Sequence, residues 1–120
     1  MRLCDDGAMA KMTAAETAHF RSEGWVIPQF RLPAEQVALM VDALEALLRN
    51  NPGVRPEKLV SAHVIGNVRV SAQGDNGEGV RGEQAFLDLA RDPQIVELVS
   101  GVIGEDVILW GCHVFCKPAL

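Results

Sequence analysis

The sequence predicts an α+β fold, with helices toward the front and extended segments toward the end. Three observations carry that expectation: a capping box at residues 13–16, apolar residues at helical spacing over 37–48, and the β-branched and aromatic run DVILWGCHVFCKP at 106–118. The chain has 120 residues, of which 48% are apolar and 22% charged. Such a composition fits one soluble globular domain, or part of one, able to bury roughly two-thirds of the surface its unfolded form exposes.

Residues 1–12, MRLCDDGAMAKM, show no periodicity and are expected to be a disordered tail. The domain is expected to span 13–120. Thr13-Ala14-Ala15-Glu16 is a capping box, because the threonine hydroxyl and the glutamate carboxylate can each satisfy a backbone N–H of the other. A helix should run from it to about Glu23. Gly24 supplies the left-handed residue that commonly ends a helix, and Trp25-Val26-Ile27 is short, bulky and β-branched, which predicts a strand entering the core.

Pro33 suits the first turn of a second helix, whose core face should be Val37, Met40, Val41, Leu44, Leu47 and Leu48. Asn50-Asn51-Pro52-Gly53 ends it. Residues 59–65 and 67–71 read as extended. Residues 72–83, AQGDNGEGVRGE, carry four glycines and no apolar face, which predicts a flexible loop. Residues 84–90 can make a short helix. Asp92 is a good N-cap with Pro93 behind it, and Ile95, Leu98, Val99 and Val102 form the stripe of a further helix ending near Gly101 or Gly104. The apolar run after it should be a strand buried on both faces and stopped by Pro118.

With 11 basic against 16 acidic side chains the formal charge is -5. A nucleic-acid partner is not expected, because phosphate binding needs a basic face that releases counterions. The longest apolar runs are about half the ~20 residues a spanning helix needs, so no membrane association is expected either. Cys4, Cys112 and Cys116 are odd in number and form no CxxC pair, so reduced thiols and a cytoplasmic location are the expectation.

Cys112-His113-x-x-Cys116 invites a metal reading. On a strand, however, Cys112, Val114 and Cys116 share one face while Gly111, His113, Phe115 and Lys117 share the other, so the histidine points away from the thiols. The segment Gly74-Asp75-Asn76-Gly77-Glu78-Gly79 lacks the alternating oxygen ligands of a calcium loop and the GK[ST] of a phosphate loop. Asp42, Glu45 and Glu97 fall on the expected solvated helix faces and form no acid/base couple. Of the histidines, His19 is expected at the surface, His63 in an extended segment, and His113 buried in the apolar strand. None is followed two residues on by a carboxylate, so the start of a two-histidine, one-carboxylate iron triad is missing.

The order of several motifs resembles the phytanoyl-CoA dioxygenase family. FRSEGWVIPQFR at 20–31, followed by the LPAEQV helix start, is similar to that family's opening. FLDLARDP at 86–93, the helix after it, and EDVILWGCHVFCKP at 105–118 are similar to the family's run from its "dP" helix to its "K-P" strand. The matches cover roughly residues 17–118.

The resemblance implies the helices and first strands of a double-stranded β-helix, or jelly roll. It also implies an oxygenase that uses Fe(II) and 2-oxoglutarate to hydroxylate a small-molecule substrate. His113 would then line the 2-oxoglutarate pocket, with Gly111 and Phe115 on the same face, and Arg69 would match a basic residue contacting the same cosubstrate. Lys117 and Trp110 would be structural, the indole filling core. The family's H-x-D would follow the K-P strand, whereas this sequence reads Ala119-Leu120 there. The expectation is therefore an N-terminal portion without iron ligands that retains no cofactor alone and could self-associate through an exposed terminal strand. The rival is a small, non-catalytic helix-rich binding or scaffold protein.

Overall fold

Four helices are found in the computed structural model, which describes residues 10–55, 59–65 and 80–115: α1 (Ala14–Glu23), α2 (Ala34–Asn50), α3 (Gln84–Ala90) and α4 (Pro93–Ile103). The described residues contain no strand, sheet or barrel. Over the described residues the fold is helical, and the expected α+β arrangement with jelly-roll strands is not formed there. The chain divides into two compact units, one of Met1–Arg31 with Arg91–Ile108 and one of Leu32–Ala90 with Leu109–Leu120.

In the first unit α1 packs on α4. Thr13 caps α1: its Oγ1 accepts from Glu16 N at 3.2 Å, and Glu16 Oε2 accepts from Thr13 N at 2.8 Å. Gly24 ends the helix at φ 78°, donating its N–H to Phe20 O. Residues 25–27 are not a strand. Trp25 and Ile27 are exposed, and the indole packs edge-on against His19 with ring centroids 4.7 Å apart. Asp92 Oδ1 caps α4 by accepting from Gln94 N and Ile95 N. Leu98 is the buried residue of the expected stripe, and Gly104 closes the helix at φ 100°. Met12 lies against Gly101, and Lys11 pairs with Glu97 at 3.8 Å.

In the second unit α2 packs on α3 around a core of Ala43, Leu47, Val54, Leu59, Ala62, Val80 and Phe86. The face of α2 is narrower than its apolar pattern. Ala43 and Leu47 are buried and Met40 and Leu44 pack against the core, while Val37, Val41 and Leu48 are exposed.

The extended segments meet at one isolated antiparallel bridge, Val60 with His113. A ladder cannot propagate through residues 59–65, because Ser61 has φ 60° and Val64 N turns back to Ser61 O. Residues 106–115 therefore do not form a strand buried on both faces. Trp110, expected in the core, is 93% exposed, and Phe115 is 91% exposed.

Residues 80–83, expected within the flexible loop, are anchored. Val80 is buried, Gly82 N donates to Val64 O and Glu83 N to Ala62 O, both at 2.9 Å. Gly82 is required here, since a Cβ would run into the carbonyl oxygens of Ala62 and Val64. Residues 1–9, 67–71 and 72–79, and with them Cys4 and Arg69, lie outside the described residues, as do Cys116 and Lys117.

Candidate functional site

The residues nominated by the sequence are placed by three short segments of the second unit. Residues 59–64 lie in the middle. On one side Val114 N donates to Leu59 O at 3.1 Å and Ala62 N to Cys112 O at 3.0 Å; on the other, Gly82 and Glu83 donate to the carbonyls of Val64 and Ala62. Ala62 thus uses its N–H toward one neighbour and its C=O toward the other, which holds all three together.

Side chains alternate across residues 111–115 as expected of extended backbone. Cys112 and Val114 pack against the core, while Gly111, His113 and Phe115 are exposed. His113 is therefore not a buried histidine. Its ring folds back beside Gly111, with Nε2 3.5 Å from where a Cβ on that glycine would sit. The backbone is fixed by pairing on either side of the residue, and the imidazole is left open to solvent, where a neutral ring can donate one hydrogen bond and accept another. Arg69, the other nominated cosubstrate contact, cannot be placed beside it, lying outside the described residues.

Cys112 is half-buried, and burial pushes its thiol above the ordinary cysteine value. It is a packed, protonated side chain rather than an activated nucleophile. Across the described residues no group of three or more His, Cys, Asp or Glu is placed to hold a metal ion.

Sequence reasoning missed two features. His63 Nδ1 is buried with no hydrogen-bond partner among the described residues, and nothing in its surrounding sequence signals that. In the first unit an open cleft of about 250 Å³ is lined by residues including Lys11, Thr13, Glu16, Phe30 and Leu98. Its carboxylate is already engaged: Glu16 Oε1 accepts from Gln29 N at 2.8 Å while Oε2 serves the α1 cap. Those bonds hold the Glu16 carboxyl below the usual glutamate range, the Thr13 backbone N–H first among them, then that of Gln29 and the Thr13 hydroxyl.

No helix among the described residues is long and apolar enough to cross a membrane. No family model, curated protein or solved structure significantly matches the chain.

Proposed function

We propose that the chain is a segment of an Fe(II)- and 2-oxoglutarate-dependent oxygenase of the phytanoyl-CoA dioxygenase type, acting in the cytoplasm, and that it presents His113 to a carboxylate of the cosubstrate. The observation that carries this reading is the exposed imidazole of His113 on backbone anchored by Cys112 and Val114. Because the backbone on either side of His113 is already bonded, only the side chain has to be ordered when the ring donates a hydrogen bond. The motif order over residues 86–118 supports the same reading.

Because no histidine of the sequence is followed two residues on by a carboxylate, the chain alone is expected neither to retain stoichiometric Fe(II) nor to turn over 2-oxoglutarate. Succinate above a metal-only control contradicts that expectation. Weak, rapidly exchanging binding, as distinct from retention, is tested by saturation-transfer NMR on 2-oxoglutarate. Transfer to the ligand is expected with the unmodified chain and is expected to be lost in His113→Ala; a chain that gives none overturns the reading.

A second reading, a non-catalytic helix-rich binding protein, is favoured by the exposure of Trp110 and Phe115. It is supported instead if 2-oxoglutarate fails to bind while a Trp110 fluorescence shift reports a protein partner.

A further inference from the structure

The open cleft of the first unit, about 250 Å³ in volume, is walled by two kinds of chemistry. Pro28, Phe30 and the buried Leu98 supply an apolar side, while Lys11, Thr13 and Glu16 bring polar groups to it. All of them belong to that one compact unit.

The Glu16 carboxylate is fixed in position and charged. Its Oε1 accepts from Gln29 N at 2.8 Å, and its Oε2 from Thr13 N at 2.8 Å and from Thr13 Oγ1 at 2.9 Å. A carboxylate offers roughly four acceptor positions, so three donors leave room for another. The same donors hold the carboxyl below the usual glutamate range, which keeps it ionised at neutral pH. Each of the three is a neutral group, and no lysine or arginine among the described residues pairs with Glu16. Its negative charge is therefore unmatched within the cleft wall.

Lys11 comes two residues before Thr13, so its Cα lies within about 8 Å of that residue's Cα. Its ammonium stands 3.8 Å from Glu97 Oε1, with side-chain exposures of 72% and 41%. An ion pair so long and so exposed contributes little, and the flexible four-carbon stem can turn toward the cleft at small cost. A fixed anion, a movable cation and an apolar wall then border one space.

We infer that this cleft binds a free α-amino acid with an apolar side chain: its ammonium donates to Glu16, its carboxylate accepts from Lys11, and its side chain lies against Pro28, Phe30 and Leu98. A plain amine leaves Lys11 as an unmatched like charge, and a plain carboxylate meets Glu16. The charges remain open to solvent and are screened, so the dissociation constant is on the order of millimolar. The inference does not depend on the proposed oxygenase role.

Titration of the isotope-labelled full chain with L-phenylalanine, followed by two-dimensional NMR, tests it. Saturable shifts are expected at the Thr13 and Gln29 amides and at the Leu98 methyls. 2-Phenylethylamine, 3-phenylpropanoate and glycine each lack one of the three matched groups and should bind about tenfold more weakly or worse. Lys11→Gln should weaken L-phenylalanine binding by about tenfold, whereas Glu97→Gln, which releases Lys11, should bind at least as well as the unmodified chain. Glu16→Gln should abolish the shifts. That change also touches the α1 cap, so helix content is read by circular dichroism, and where α1 is lost the Lys11 variant and the three analogues decide. A chain without saturable shifts overturns the inference. So does an analogue that binds as tightly as L-phenylalanine, a Lys11→Gln variant that binds undiminished, or a loss of binding in Glu97→Gln.

Discussion

The side-chain amide of Asn51 pairs with Arg81 as a backbone unit would. Its Oδ1 accepts from Arg81 N at 2.7 Å and its Nδ2 donates to Arg81 O at 2.9 Å. The same Nδ2 donates to Leu47 O at 2.7 Å, so one buried side chain closes the end of α2 and ties residues 80–83 to it. Asn51→Ala leaves these backbone groups without their partner, at a cost of about 3 kcal/mol in urea unfolding. Asn51→Asp should be at least as damaging at neutral pH, because it replaces the donor with a second acceptor facing two carbonyls. A stability unchanged in both variants contradicts this role.

Gly82 approaches residues 62–64 so closely that any Cβ meets carbonyl oxygen. Gly82→Ala should therefore destabilise the second unit by about 2 kcal/mol or more, through lost pairing rather than lost burial. Hydrogen exchange would locate the effect: the amides of Gly82 and Glu83, bonded to Val64 and Ala62, should lose protection first. Equal loss throughout the chain would argue against so local a cause.

Glu16 links the start of α1 to Gln29, and its folded-state pKa is depressed by the bonds it accepts. A depressed carboxylate contributes stability that is present above its unfolded value and is lost as pH falls through the folded one. Thermal unfolding followed from about pH 6 to about pH 2 should show the midpoint falling over that acidic window. Glu16→Gln should start lower and respond less to acid. A variant with the same acid dependence as the unmodified chain would show that other carboxylates control it.

Cys112 packs against the core, and burial raises its thiol pKa. In a Cys4→Ser, Cys116→Ser background its alkylation by iodoacetamide should be slower than that of a free thiol at neutral pH, and its rate should climb at higher pH than usual. Reaction as fast as a model thiol would mean that residues 111–115 open readily.

Helix ends were legible because their chemistry is local. Thr13 with Glu16, Gly24, and Asp92 with Pro93 lie within one turn of what they cap, and each appears at its expected position. Extended structure was not, because a strand depends on partners far along the chain. The β-branched runs at 25–27 and 106–115 have strand propensity, but residues 25–27 find no strand partner among the described residues, and the positive φ of Ser61 and the turn after it leave one described bridge, Val60 with His113. At the candidate site the alternation of Cys112, His113 and Val114 was readable from period alone, whereas the exposure of His113 and Trp110 was not. Four glycines over 72–83 concealed that Val80 and Gly82 are anchors, since their tight fit depends on residues 62–64.

The central claim is that the free ring of His113 binds a carboxylate of 2-oxoglutarate, and histidine ring resonances followed during a titration test it most directly. The account predicts saturable shifts at His113 with a midpoint in the millimolar range, little change at His19 and His63, and a much smaller response to acetate at the same ionic strength. A His113 ring that does not move, or that moves equally with acetate, contradicts it.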